Sequence, residues 1–455
     1  MEQDGLRDRI HSALAGVDAS YVEVRIEESS SSTLRYRGRD LEEIGRSSNV
    51  GGNVRALASG GWGFVCFNDL DDLRGKVRLA VQHAKMVGGE RVELAEVAPV
   101  EQVVPAVIGK DPTAISLAEK KAVLDQYVGI MMGVPQVQSS TIGYSDGRRK
   151  VVFANSLGSY LEQDRVDVSL GMRAVARDGG EVQQAGISLG SLGDFSFVEA
   201  LHEQAAEVAE KAVALLKAPQ APGGETTVIL DPILAGVFIH EAFGHLSEAD
   251  HVYSDPRMQE LMVMGRRFGE DHLNVVDGAA VPDLRGSYAY DDEGVPGQRT
   301  DLIREGVLVG RLHSRETAAK LGERPTGNAR AITYRFPPIV RMTNTFILPG
   351  TASVEELFDG VKEGVYAKNW YGGMTSMEMF TFSAGEAYMV RNGKVEELVR
   401  PVMLSGNLFT TLQNLDRIGN DLTMNQGGGC GKGGQSPLAV SNGSPHIRIQ
   451  HCLVA

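Results

Sequence analysis

Basic side chains are in short supply. The 455 residues carry 45 lysines and arginines against 59 aspartates and glutamates, a formal net charge of −14. A nucleic-acid partner needs clustered cations along its phosphates, so this balance argues against one. Cysteine is scarce as well: Cys66, Cys430 and Cys452 are odd in number and far apart. That excludes a disulfide scaffold and leads us to expect reduced thiols in the cytoplasm. Long apolar runs are missing, since no window approaches the roughly eighteen residues of a membrane span. The polar opening Met1-Glu2-Gln3-Asp4-Gly5 lacks a signal-peptide pattern. What is left is ordinary soluble composition, 42% hydrophobic and 23% charged. At roughly 150 residues per domain, the length predicts two or three domains, each able to bury a core.

The first two hundred residues mix strand and helix patterns. Tyr21–Glu27 and Thr33–Arg37 alternate with the period of a half-buried strand, and Ser29–Ser32 reads as a turn between them. Helical spacing marks Asp69–Met86, Ala114–Met132 and Ser196–Leu216, with strand candidates at Thr141–Tyr144, Lys150–Ala154 and Val166–Val175. Ala218-Pro219-Gln220-Ala221-Pro222-Gly223-Gly224 is the strongest boundary, because prolines stop the helix before it and paired glycines loosen the joint. Beyond it come Gly-punctuated apolar strands at Ile339–Ile347, Glu386–Val390, Val399–Leu404 and His446–Leu453. The expected fold is α+β. An N-terminal α/β sandwich domain over 1–217, with a mixed or antiparallel sheet, precedes a mainly β domain over 218–455.

Thr226–Leu230 reads as a strand running into a helix start, with Asp231 as cap and Pro232 at the first helical position. The helix then delivers His240-Glu241-Ala242-Phe243-Gly244-His245. Zinc proteases commonly separate two histidines by four residues, on one helical face. Here the separation is five, about 140° of rotation at 3.6 residues per turn. The two rings can share a metal only if the helix inserts a π-bulge or ends between them, a distortion Gly244 tolerates. The alternative is a helix C-terminus carrying two ordinary histidines. A third donor would come from Glu248, Asp250 or His251 nearby, or from Cys430 far away in Gly427-Gly428-Gly429-Cys430-Gly431-Lys432-Gly433-Gly434. Lys432 is placed to favour a thiolate; otherwise the segment is a glycine-rich loop around a small buried cysteine.

Several segments together resemble the TldD/PmbA family, specifically its TldD-type subunit. They are His240–His245 with Glu248 and Asp250, Arg341–Gly350, Phe382–Tyr388, Gly419–Leu422, and Cys430-Gly431-Lys432 with Gly434-Gln435. Tyr144-Ser145-Asp146 and Ala154–Gly158 fit in the first half. The resemblance implies a zinc metallopeptidase in which His240, His245 and Cys430 hold the metal. It also implies that Glu241 is the general base towards a zinc-activated water. It implies peptide substrates, unfolded or in flexible protein segments, and a dimer. That dimer is either a homodimer or a heterodimer with a PmbA-type paralogue lacking the metal motif.

Two rival readings stand beside this one: a metal-independent cysteine peptidase built on Cys430, and a peptide-binding subunit without turnover. A phosphate-binding P-loop fails, because Gln426 and Gly433 stand where Gly and Ser or Thr are required. Arg330, Tyr334 and Arg341 are candidate oxyanion donors or structural residues. His202-Glu203 reads as a solvated helix face, and Trp62, Trp370 and Cys66 as packing residues. Cys452 is a reserve ligand, His446 and His451 are strand residues, and Met374, Met377 and Met379 line a core or a peptide groove.

Overall fold

The computed structural model describes residues 3–89, 92–376 and 378–455; Met1, Glu2 and Met377 lie outside the described residues. The protein is mixed α/β, with an N-terminal and a C-terminal domain. The first seven-stranded sheet runs in the order Gly61–Phe67, Asp40–Ala58, Tyr21–Arg37, Val137–Asn155, Tyr160–Asp178. The outer edge of the last strand is shared by Glu101–Val104, parallel to it, and Glu181–Leu192, antiparallel. The sheet is therefore mixed.

Alternation along Tyr21–Arg37 explains how both faces are used. Val22, Val24, Ile26, Leu34 and Tyr36 all point to one side, where they join two apolar clusters. Helix Leu73–Val87 covers one cluster, and helices Leu117–Met131 and His202–Leu215 cover the other. The opposite side presents Glu23, Arg25 and Glu27, all buried, to the C-terminal domain. Arg55 pairs with Glu23 at 2.8 Å and with Glu293 at 2.6 Å, and Arg25 pairs with Asp292 at 3.2 Å. Ion pairs thus fasten this face of the sheet across the domain junction.

Ser29–Ser32 is strand, not turn. Residues 21–37 form one continuous strand, and the serines pair on both sides, Ser30 with Ser48 and with Arg148. Their hydroxyls suit a turn locally, but two flanking strands satisfy the backbone better than a turn could. The candidates Thr141–Tyr144 and Lys150–Ala154 likewise merge into Val137–Asn155.

In the C-terminal half, strands Glu363–Ser376, Gly224–Leu230, Ile447–Val454, Met403–Asn407 and Met379–Arg391 pair in succession, and the last pairs with the first. This closed ring buries Phe380 and Phe382 against Phe238, with ring centroids 5.4 and 6.0 Å away. A six-stranded sheet includes Val275–Gly278, Asn344–Ile347 and Ser441–Ser444. Two expected strands are broken. Val399–Leu404 is interrupted at Arg400-Pro401, where proline cannot donate to a ladder, and Ile339–Ile347 splits into Ile339–Val340 and Asn344–Ile347.

Candidate metal centre

Helix Pro232–Ile239 carries the histidines, and its start follows the local chemistry. The Asp231 carboxylate accepts from the Leu234 amide at 2.9 Å, and Pro232 occupies a position whose N–H would be unpaired anyway. After Ile239 the helix widens into a π-turn over His240–Gly244, with the His245 amide donating to the His240 carbonyl. That i→i+5 bond restores the alignment a regular helix denies to a five-residue spacing. The two rings lie 5.4 Å apart between centroids, at 79° to one another. Gly244 keeps an ordinary helical φ of −57°, so its value here is space. A Cβ at this position would stand 2.1 Å from Met342 Sδ.

Cys430 arrives on a hairpin, Gly429–Lys432 against Gln435–Ala439, turned by Gly433 and Gly434 at φ 57° and 76°. These positive values favour glycine. Arg341, with no exposed surface, fixes the hairpin by donating to the Cys430 carbonyl at 2.7 Å and the Gln435 carbonyl at 3.1 Å.

The result is convergence. Ligand atoms of His240, His245 and Cys430 all lie within 4.8 Å of one another. Cys430 Sγ is 3.5 Å from His245 Nε2, and Glu241 Oε2 is 3.9 Å from that same nitrogen. The other ring nitrogen, His245 Nδ1, donates to the fully buried Glu248 at 3.0 Å, which leaves Nε2 as the lone-pair donor. His240 Nδ1 is buried with no hydrogen-bond partner. Two imidazoles and a thiol at this separation, one ring nitrogen orphaned and another oriented by a carboxylate, fit a metal ion.

Electrostatics agree with a thiolate. Burial pushes the Cys430 thiol up, but His240 and His245 outweigh it and bring it down to about 5. Burial works against charge on His245 too, yet Glu248 and Cys430 raise it to about 11 in the metal-free fold. Glu248 is held down to about 2 despite burial, by Lys432 and His245.

The other expectations separate clearly. Glu248, Asp250 and His251 form their own group, with Lys432 3.0 Å from Glu248 and 2.6 Å from Asp250. Lys432 therefore serves carboxylates, and the histidines depress the thiol. Arg330 donates to the carbonyls of Met342 and Ala439, and the Tyr334 hydroxyl accepts from Asn68. These two and Arg341 all have hydrogen-bond partners within the protein. Cys452 is buried on its strand outside the donor group, where burial lifts its thiol to about 12. Cys66 and Trp370 are exposed, contrary to a packing role. Trp62 does pack, under Arg55, 4.3 Å from its guanidinium. Met374 and Met379 are exposed, and His202 sits on a solvated helix face. His446 bonds Asp421 at 2.6 Å just before its strand, and His451 pairs with Glu225.

Sequence reasoning missed Asp277. Buried on strand Val275–Gly278, it accepts from the amide and hydroxyl of Thr343, the hydroxyl of Thr345 and the amide of Asn328. It thereby anchors the segment that carries Arg341 and Met342. A single acid beside the apolar pair Val275-Val276 was the available signal.

Known proteins share this architecture. Models of the PmbA/TldA metallopeptidase match the chain in three parts: domain 1 over residues 22–84, the central domain over 110–216 and the C-terminal domain over 223–455. Metalloprotease slr0863 of Synechocystis is 47% identical over 438 residues, covering 96% of this chain and 95% of that protein. The zinc metalloprotease TldD homolog of Saccharolobus solfataricus is 32% identical over 438 residues, covering 95% and 96%. The crystal structure of TldE from Thermococcus kodakarensis superposes with a TM-score of 0.75 at 17% identity, covering 99% of each chain, a likeness of fold. With the donor group above, these relationships define a metalloprotease. The chain belongs to the PmbA/TldD family.

Proposed function

We propose that the protein is a zinc-dependent peptidase acting on unfolded peptides or flexible protein segments, with His240, His245 and Cys430 as ligands and Glu241 as general base. The observation that carries this reading is the meeting of three donors from segments 185 residues apart, with a carboxylate beside them. One thiolate and two imidazoles suit zinc, whose borderline-soft character accepts both donor types. Zinc bound there supplies Lewis acidity, which polarises a peptide carbonyl and makes water easier to deprotonate.

The remaining work belongs to the protein. Glu241, about 30% exposed beside the half-buried His245, takes the proton of the attacking water and returns it to the leaving amine. Glu248 keeps His245 turned towards the centre. Arg341 keeps the Cys430 backbone in place, so the thiolate needs no rearrangement when substrate enters.

The contact between Cys430 and His245 also resembles the thiolate–imidazolium pair of a cysteine peptidase. The burial of Cys430 between two imidazoles favours a ligand over a nucleophile that must reach substrate. Chelation followed by zinc addition separates the two. A zinc peptidase loses activity with chelator and regains it with zinc, whereas a thiol peptidase keeps its activity under chelator and gains none from zinc.

We further propose a cytoplasmic dimer, formed either with a second copy or with a PmbA-type paralogue. Three unpaired cysteines suit a reducing compartment, and among the described residues no helix is long and apolar enough to cross a membrane. The fold shared with TldE supports a paralogous partner. Light scattering of the chain alone and mixed with such a paralogue distinguishes the two assemblies.

A further inference from the structure

Lys432 lies two residues beyond Cys430 on the same hairpin, yet its ammonium reaches across to the histidine segment. It is 3.0 Å from Glu248 Oε2 and 2.6 Å from Asp250 Oδ1, and it donates to the Val340 carbonyl at 2.9 Å. The oxygen it meets on Glu248 is the one that accepts from His245 Nδ1 at 3.0 Å. A continuous path therefore runs from the thiol hairpin through Lys432 and Glu248 to an imidazole donor, and it does not pass through the metal position.

Burial gives this path its force. The Glu248 side chain has no exposed surface and that of Lys432 is 11% exposed. One oxygen of this buried carboxylate, Oε2, is met by the ammonium at 3.0 Å and by His245 Nδ1 at 3.0 Å, so the place where the lysine holds it sets the place where the imidazole meets it. Glu248 therefore depends on the hairpin lysine in order to orient His245. The hairpin, in turn, is held to the histidine segment by that lysine. Asp250, the other partner of Lys432, is 31% exposed and can fall back on water.

We propose that Lys432 is a positioning residue for the metal centre: paired with Glu248, it holds the thiolate-bearing hairpin and the His245 ring as one unit and so sets zinc affinity. This rests on the zinc-peptidase reading above. It differs from support of the thiolate by charge, because Lys432 acts through Glu248.

The test is a double-mutant cycle read in zinc affinity. Competition with a chromophoric chelator gives the dissociation constant of wild type, Lys432→Met, Glu248→Gln and the double variant, and thermal melting of each metal-free form reports folding. Lys432→Met should weaken zinc binding about 10-fold and Glu248→Gln about 10- to 100-fold, in keeping with residues that orient metal ligands. The double variant should bind as Glu248→Gln alone does, because the other partners of Lys432, Asp250 and the Val340 carbonyl, are not among the three metal donors and do not orient His245. Unchanged affinity in Lys432→Met, or losses that multiply in the double variant, overturn the proposal. A lower melting temperature without coupling in affinity also overturns it, since that marks a merely structural ion pair. Should Lys432→Met fail to fold, Lys432→Gln carries the same expectations. Wild type that takes up no zinc defeats the peptidase reading itself; wild type that binds zinc with Lys432-insensitive affinity defeats only the positioning role.

Discussion

Met342 Sδ occupies the space that a side chain on Gly244 would need, 2.1 Å from where its Cβ would lie. The neighbouring Arg341 donates to the carbonyl of Cys430 at 2.7 Å. Two consecutive residues thus touch both halves of the donor group, one by excluding bulk from the π-turn and one by pinning the hairpin. Asp277 holds this segment down through Thr343.

Gly244→Ala should destabilise the protein. Alanine is the better helix former by about 1 kcal/mol at a helical φ, but the clash with a fully buried methionine is expected to cost roughly 2 kcal/mol. Denaturant unfolding checks the net loss. Combining Gly244→Ala with Met342→Ala should cost less than the two single losses added together.

Arg341→Met should leave the buried carbonyls of Cys430 and Gln435 without this donor. We expect a loss of about 3 kcal/mol in stability, with zinc content reduced in whatever folds. Metal analysis alongside thermal melting measures both.

Glu241→Gln should retain zinc and abolish peptide hydrolysis, because the amide has similar shape but cannot accept the proton. Metal analysis and a turnover assay on an unstructured peptide decide it. Full activity would remove Glu241 from the mechanism.

The junction between helix His202–Leu215 and the C-terminal ring should weaken in acid. Burial raises the Glu386 carboxyl, but Lys211 and Lys368 outweigh it and hold it below its ordinary 4.5. A folded-state value below the unfolded one means the stabilisation is complete above about 4.5 and is lost as the pH falls through the folded value. The difference in melting temperature between wild type and Glu386→Gln should therefore be greatest near neutral pH and shrink below 4.5. A gap independent of pH would assign Glu386 a packing role.

Cys430→Ser should lower zinc content sharply while leaving the hairpin folded, because Arg341 grips the backbone at this position and not the sulfur. Metal analysis with melting curves separates loss of metal from loss of fold.

The sequence by itself determined whatever depends on neighbours along the chain. Asp231 and Pro232 fix the helix start, and alternating apolar residues fix the strand faces. The glycines around Cys430 mark a loop, and the five-residue histidine spacing requires a π-turn or a helix end if the two rings are to meet. Long-range pairing was illegible. Ser29–Ser32 has the composition of a turn but becomes strand, because neighbours from residues 46–49 and 146–149 satisfy its backbone on both sides. Lys432 reads as a thiolate neighbour, yet folding aims its long side chain at Glu248. Only the tertiary structure decided which arginine pins Cys430 and which methionine fills the space beside Gly244. Those choices depend on distances between segments about a hundred or more residues apart, which close only when two separately wound β-systems are packed together.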